Sequence, residues 1–478
     1  MTRRTSALVA RIALEELRAM ARSRVALAAG LLLLALTATA LLVSMEQARG
    51  VNAERAQLRE RAEQQWNGQP DRHPHRVVHY GQYIFRTLTP LAFFDFGVGP
   101  YTGHTLYLEG HRQNSANFSD ASQSSPLLRF GLLTPAFVLQ TVAPLLIVFL
   151  AFGSVARARE GGQLRLALAQ GVPGTTLLAG KLLGHGAATL LLAAPAWLAL
   201  GWIGLVHAEV RTPAAWMLAG YLAYLLLWTG AAVLVSALAP RARTALLALV
   251  AAWMVTVVLV PRMAPDLASS AVARPTRIEM EAAIASQLRS LGDSHDPDDP
   301  YFARFRAGVL AQYGVRRVED LPVNYAGLVI AEGERLTSAL FESSMRADFA
   351  RKQRQADLLW AGALFSPAIA LQRLSAAMAG TDRLSHEQFL LEGEAYRYQF
   401  VQALNRLHAE QVRYHGDREQ RIGAHFWRAI APFAQQAPDV DATVWRGAVP
   451  TLALFGAWLA ALAAAALLAG RRLERSLV

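Results

Sequence analysis

Six long apolar runs limit what this chain can fold into more than any other feature. A helix needs about 20 predominantly apolar residues to cross a hydrocarbon core. The runs are close to that length or longer, so we predict membrane-spanning helices at 25–43, 134–155, 182–206, 213–238, 244–261 and 448–468. The first run is too long for the apolar part of a signal peptide and no suitable cleavage sequence follows it, so we interpret it as a retained anchor.

The composition is typical of a membrane protein with large soluble parts, since 53% of the 478 residues are hydrophobic. The formal net charge is +11, but the arginines are spread along the chain, with no basic block beside stacking aromatics. We therefore expect membrane lipids as partners and no nucleic acid. The chain has no cysteine, which excludes disulfides and thiolate metal sites.

The placement of arginines predicts the orientation in the membrane. Basic residues are concentrated in 1–24, in 156–181, between the fourth and fifth runs and in 469–478. Because positive residues favour cytoplasmic loops, both termini are predicted to be cytoplasmic. The long segments 44–133 and 262–447 then lie outside. We predict an all-α polytopic membrane protein with six transmembrane helices and a mainly helical extracytoplasmic domain formed by these two insertions.

The two insertions differ in character. The first begins as a helix and becomes turn-rich and aromatic, and its stretch from Ser115 to Pro126 is predicted to be a polar loop. In the second, Ser385 and Gln388 resemble a capping box at a helix start. Helices are predicted there at 275–291, 300–313, 324–360, 367–378 and 385–414.

A short charged segment follows the second apolar run. Arg157, Arg159 and Glu160 precede Leu164 and Leu168, with Leu166 between them, and a short amphipathic helix is predicted. Two interpretations fit these residues. One is a solvated connection that carries cytoplasmic arginines, and the other is an element that receives force from a soluble motor.

The wider pattern around this segment resembles the coupling-helix region of type-2 ABC transporter permeases. The matching parts are Glu160-Gly-Gly-Gln-Leu164, then Pro173, then Gly180-Lys181 before the third run. Gln163 departs from the family, which usually has threonine there. The resemblance implies six spans with both ends inside, and a set of residues that couple to an ATPase. From this resemblance and the amphipathic pattern of the segment together, the predicted coupling residues are Arg157, Arg159, Glu160, Gly162, Leu164, Leu168, Pro173 and Lys181.

The resemblance implies the permease subunit of a bacterial ABC exporter in the inner membrane. It would pair with a second permease copy or a paralogue and with two copies of an ABC ATPase subunit. The chain itself would bind no cofactor, because ATP and Mg would be held by the ATPase. An alternative is an ATP-driven mechanotransmitter that acts on a periplasmic protein without solute transport. The resemblance assigns no substrate.

The N-terminal segment is predicted to be an amphipathic helix on the inner membrane surface. Arg11, Glu15 and Arg18 share one face, while Ala13 and Leu17 share another. It resembles the connecting helix of the same family. Near the start of the third run, Lys181 is predicted to snorkel to the membrane surface and His185 to pack inside the bundle.

Two stretches resemble enzyme motifs, but each departs from its motif at a required position. The stretch from Gly174 to Leu182 looks like a phosphate-binding loop, but its spacing is one residue too long and Leu182 replaces the Ser or Thr. His386-Glu387 begins like a zinc-protease motif, but Leu390 stands at the second histidine position. We therefore predict no catalytic residues and no nucleotide site in this chain.

Histidines cluster in the first insertion. His73, His75 and His79 lie within seven residues, with His104 and His111 nearby. Imidazoles can bind copper or zinc. Because no carboxylate or thiol stands at ligand spacing, we predict polar surface histidines and no metal site.

Overall fold

The computed structural model describes residues 3–113, 132–294, 296 and 298–475. The predicted loop from Ser115 to Pro126 lies outside these residues. Within them, six helices are long and apolar enough to cross a membrane, and we call them the first to sixth spans. They are Arg24–Asn67, Pro135–Glu160, Gly174–Leu192, Ala208–Leu238, Ala242–Ala271 and Val440–Arg475.

The third span begins earlier in the chain than the apolar run from which it was predicted. Its helix starts at Gly174, after Pro173 in an extended conformation, so Lys181 lies inside the helix. It ends at Leu192, and the helix Ala194–Val206 follows with proline in its first turn. A proline there cannot continue the preceding hydrogen-bond ladder, which accounts for the break.

The helix Arg3–Arg22 precedes the spans and packs along the third span. Two glycines permit this close approach. A Cβ on Gly180 would come within 2.6 Å of the Ile12 Cβ, and one on Gly184 within 2.8 Å of the Ala13 carbonyl oxygen. The sixth span also meets the start of the third, at Gly470. Both ends of the described chain therefore meet at one end of the bundle, which we call the terminal end.

Three spans contain a wide π-helical turn, and a proline follows each turn at the same distance. The π segments are Val138–Val142, Met254–Leu259 and Val444–Ala448, and the prolines are Pro144, Pro261 and Pro450. A proline ring clashes with the carbonyl four residues earlier, so the preceding turn widens to i→i−5 hydrogen bonds. All three turns lie where a span joins one of the two long segments, at the opposite end of the bundle.

Residues 68–113 and 272–439 form a second body at that opposite end, which we call the insert domain. It contains an antiparallel hairpin, β1 (Gln82–Phe85) and β2 (Thr105–Leu108), in which Gln82 pairs with Leu108. Its longer helices are Arg277–Leu291, Pro300–Tyr313, Tyr325–Gly362, Pro367–Met378 and Arg383–Gln411. The α-helices Pro74–Tyr80, Gly99–Thr102 and His425–Arg428 and the 3-10 turns Val318–Asp320 and Asp417–Glu419 complete it.

The fold class is as predicted, with six candidate spans and a helical domain between them.

The predicted capping box at Ser385 is wrong. The Asp382 Oδ1 accepts from the Ser385 backbone N at 3.1 Å, so the helix begins at Arg383. Aspartate caps as well as serine does, and it stands three residues earlier. A complete capping box occurs instead at Thr276 and Glu279.

Candidate functional site

The connection between the second and third spans consists of two short helices, Ala156–Glu160 and Gln163–Ala169. Gly162 joins them in a left-handed conformation with φ of 75°, which glycine adopts without steric cost. The residues predicted for coupling are therefore distributed over two helices with different surroundings.

The first short helix is fixed to the end of the fourth span. The Ser236 hydroxyl accepts from the backbone N of Val155 at 3.0 Å and of Ala156 at 3.1 Å. The Arg159 guanidinium donates to the carbonyls of Ala237 and Ala239. The last carbonyls of a helix have no partner within it, and a cation is favourable beside them. Arg159 thus satisfies the end of the fourth span.

Glu160 binds the N-terminus of the fifth span, as Arg159 binds the C-terminus of the fourth. Its Oε1 accepts from the backbone N of Ala242 at 3.1 Å, and Ala242 is the first residue of that span's helix. A carboxylate at a helix N-terminus is favourable for the same electrostatic reason. Arg159 and Glu160 therefore bracket residues 239–241, and both predicted coupling residues have partners inside this chain.

The second short helix presents an exposed surface at the terminal end. Leu164 and Leu168 are buried, while Leu166 is 61% exposed and Arg165 is exposed. Successive residues in a helix are about 100° apart, so a residue two positions on points to the opposite side. The alternation in the sequence places Leu166 with the other two leucines. The structure separates them, and Arg165 and Leu166 are the outward residues that the predicted set omits.

The remaining predicted coupling residues have separate places. The Arg157 guanidinium lies 4.6 Å from the Phe152 ring centroid and is exposed. Pro173 is exposed at the start of the third span. Gly162 is exposed between the short helices.

Lys181 lies away from this surface. Its Nζ is 2.5 Å from the Glu16 Oε1, on the helix Arg3–Arg22, and the lysine is only 6% exposed. The prediction that Lys181 snorkels is wrong, because Glu16 offers a charged partner inside. His185 is buried as predicted, with Nε2 3.3 Å from the Glu16 Oε2. Glu16 was missed, although a carboxylate one turn from the buried Ala13 indicates a cation opposite.

At the other end of the bundle, the helix Pro367–Met378 is the part of the insert domain that packs against the spans. It contacts all three π segments and the fourth span. The Ser366 hydroxyl donates to the Thr256 carbonyl in the fifth span. The Thr451 hydroxyl of the sixth span donates to the Ala370 carbonyl at 3.2 Å. Among the described residues, this helix therefore joins the second, fourth, fifth and sixth spans.

Hydrogen-bonded, buried polar side chains also link the second span to this junction. The Tyr221 OH and the Ser375 Oγ are 2.8 Å apart, and Gln140 Nε2 donates to the same tyrosine oxygen at 2.9 Å. Tyr221 belongs to the fourth span and Gln140 to a π segment. Asp95 lies beside them, and burial raises the pKa of its carboxyl despite hydrogen bonds from Ser375, Gly97 and Gln140.

The clustered histidines form more than one group. His75, His79 and His111 come together, whereas His73 lies with His408 and Asp417. His73 is 7% exposed, so the prediction of a surface position is wrong for that residue. It caps the helix Pro74–Tyr80, with its Nδ1 accepting from the His75 backbone N at 3.2 Å, and that role buries it.

Two family models match the chain. One, described as ABC-2 family transporter protein, matches residues 10–307, which is more than half of the chain. The other, described as Domain of unknown function (DUF3526), matches residues 277–436, the larger part of the insert domain. No curated protein and no solved structure matches the chain.

Proposed function

Since the chain belongs to the ABC-2 family of transporter proteins, and is thus a multi-pass membrane protein, we propose that it is the permease subunit of an ABC exporter. A separate ATPase subunit would drive it by docking on the helix Gln163–Ala169. In this proposal both termini are cytoplasmic, the insert domain is periplasmic, and the membrane is the inner membrane of a bacterium.

The observation that carries the proposal is the bracing of the connection between the second and third spans. Arg165 and Leu166 face outward from a helix that rests on the buried Leu164 and Leu168. The neighbouring helix is bonded through Arg159 to the fourth span and through Glu160 to the fifth. A force applied to the outward face therefore acts on several spans together.

The proposed assembly has two kinds of subunit. Two ATPase subunits bind ATP and Mg, and two permease chains, identical or paralogous, form the path through the membrane. When the ATPases close on ATP, the short helix moves with them and rotates the braced spans. The helix Pro367–Met378, which contacts the fourth span and the π segments of three others, passes that movement to the rest of the insert domain.

The test is co-purification with the cognate ATPase in detergent, followed by measurement of ATP hydrolysis. We expect Arg165→Glu and Leu166→Asp to weaken association by at least tenfold, since loss of a central contact at a protein interface commonly costs more than about 1.4 kcal/mol. Arg22→Glu is the matched control, because Arg22 is also an exposed arginine at the terminal end. Wild type that binds no ATPase, or variants that bind as wild type does, would overturn the proposal.

The junction at Pro367–Met378 favours one second candidate, an ATP-driven mechanotransmitter that acts on a periplasmic partner without moving a solute. The chain lacks cysteine, so spin labels can be placed at Arg165→Cys and Arg289→Cys without background. A distance change with ATP, together with no ATP-dependent solute uptake in inverted vesicles, would favour this candidate. Uptake of a solute would favour the exporter.

A further inference from the structure

Three histidines from two segments of the insert domain converge on one point. His75 and His79 stand four residues apart on the helix Pro74–Tyr80, so both face the same side. His111 follows β2 and joins them. One ligand nitrogen from each ring lies within 4.8 Å of the other two.

The spacing matches that of metal ligands. The Nε2 atoms of His75 and His79 are 3.2 Å apart. Two nitrogens on one tetrahedral zinc are about 3.3 Å apart, given Zn–N distances of about 2.0–2.1 Å. The His111 ring centroid lies 5.8 Å from that of His75 and 5.5 Å from that of His79, so the three rings surround a common centre.

The backbone is arranged to bring His111 to this point. Among the described residues, His111 is the one non-glycine residue with positive φ, at 61°. Gly110 before it packs so tightly on the helix Pro74–Tyr80 that a Cβ would come within 2.2 Å of the Val78 Cγ1. Strained conformations of this kind persist where the surroundings enforce them, and they concentrate at functional sites.

A buried carboxylate orients His111. The Glu334 Oε2 lies 3.2 Å from the His111 Nδ1 and accepts from the His111 backbone N at 3.0 Å. Metal-binding histidines typically engage a carboxylate through the nitrogen that does not bind the metal. His111 would therefore bind a metal through Nε2, as the short Nε2–Nε2 distance indicates for His75 and His79.

The charged side chains next to His111 carry a net negative charge, which a cation bound by the histidines would offset. Arg397 is 1% exposed and bonds to both Glu334 and Glu394, at 2.6 and 2.7 Å. Two carboxylates and one guanidinium leave one net negative charge beside His111. A divalent cation on the other side of His111 offsets it.

From this geometry we propose that His75, His79 and His111 bind a first-row divalent metal ion of the zinc or copper type. Imidazole nitrogens suit these ions, and carboxylate-binding ions such as calcium are disfavoured. Three protein ligands leave a fourth position for water or an exchanging ligand. The site is independent of the proposed transport function.

The second histidine group is a weaker candidate. The Asp417 Oδ1 already takes hydrogen bonds from His408 Nε2 and Asn324 Nδ2, both at 2.6 Å. His73 Nε2 is farther away, 3.6 Å from that oxygen. Asp417 thereby links His408 to Asn324, the N-cap of the helix Tyr325–Gly362.

The test uses the full chain, purified in detergent through a tag without histidine, stripped with chelator and titrated with Zn²⁺. We expect about one zinc per chain to remain after desalting wild type. His79→Ala is the main variant, because His79 is exposed and its loss should not disturb folding. His415→Ala is the matched control, an exposed histidine of the same domain outside both groups.

Zinc should also raise the melting temperature of wild type and of His415→Ala, but not of His79→Ala, since binding to the folded state stabilises it. Glu334→Gln should weaken binding by about 10–100-fold, the usual effect of losing a partner of a metal-bound histidine. Wild type that retains no zinc overturns the proposal. So does His79→Ala that retains as much zinc as wild type.

Discussion

Lys181 of the third span and Glu16 of the N-terminal helix form an ion pair with their charged atoms 2.5 Å apart. Their side chains are 8% and 19% exposed. The pair fastens the helix Arg3–Arg22 to the bundle at the terminal end. It also removes Lys181 from the surface that a partner protein could touch.

Breaking this pair from one side should destabilise the protein. Lys181→Met leaves the Glu16 carboxylate in a mostly buried place without its cation, at a cost of up to about 3 kcal/mol. The melting temperature in detergent should fall by several degrees. Adding Glu16→Leu should restore part of the loss, because the stranded charge is then gone.

The neighbouring pair Glu15–Arg18 provides the control. Its side chains are 58% and 52% exposed. Exposed pairs contribute about 0–1 kcal/mol, so Glu15→Gln should leave the melting temperature almost unchanged. If Lys181→Met behaves like Glu15→Gln, the pair does not hold the helix.

The close contact between the third and sixth spans should be sensitive to one methyl group. A Cβ on Gly470 would come within 2.8 Å of the Thr175 Cα, which is backbone and cannot move aside cheaply. Gly470→Ala should therefore destabilise by about 1–3 kcal/mol, measured by thermal unfolding. Gly456 lies in the same helix with nothing within 4 Å of its Cβ position. Gly456→Ala should be neutral or stabilise by about 0.5–1 kcal/mol, and equal effects at the two sites would contradict the packing described.

Two buried histidines should make the insert domain sensitive to acid. Burial, helped by the charges of Arg86 and Lys352, lowers the pKa of His386 to about 4. Burial also lowers the pKa of His104, to about 3, with help from the charges of Arg55, Arg86 and His386. The unfolded chain then binds more protons than the folded chain between those values and about 6.5, so stability falls as pH falls through this window.

At about pH 5.5 each histidine should cost roughly 1 kcal/mol relative to pH 7.5. His386→Gln should reduce the drop in melting temperature between these two pH values, because glutamine takes up no proton. His415→Gln should leave the drop as in wild type, since His415 is exposed. An undiminished drop in His386→Gln would show that His386 does not stay neutral.

Arg159 should control how firmly the connection between the fourth and fifth spans is held. Arg159→Ala removes the donors from the carbonyls of Ala237 and Ala239. Amide hydrogen exchange over residues 237–245 should become faster, because a helix end without partners opens more often. Arg157→Ala is the matched control, since Arg157 stacks on Phe152 outside this junction. Equal exchange in both variants would argue against the bracing role.

Much of the helical architecture is visible in local sequence signals. The helices Pro300–Tyr313 and Pro367–Met378 begin and end where the sequence predicts, because proline is favourable in a first turn. The hairpin was missed because each strand has only four residues and is defined by a partner about twenty positions away. No local pattern distinguishes such strands from a turn-rich segment.

The site features that were missed depend on contacts between distant segments. Glu16 and Lys181 are separated by 165 positions, and Glu334 lies 223 positions from His111. The sequence placed His75 and His79 in one cluster but could not show that His111 completes a triad and His73 leaves it. The alternation of leucines at 164–168 suggested a single apolar side, which is wrong because residues two positions apart lie on opposite sides of a helix.

The three wide turns before Pro144, Pro261 and Pro450 change how these spans have to be compared with other chains. Each turn holds one residue more than an α-helical turn, so the side chains beyond it are offset by about 100° from an uninterrupted helix. A single helical wheel drawn through such a span misplaces the residues on one side of the turn by about 100°. An alignment across these turns keeps both sides in phase only when a one-residue gap is placed at the turn.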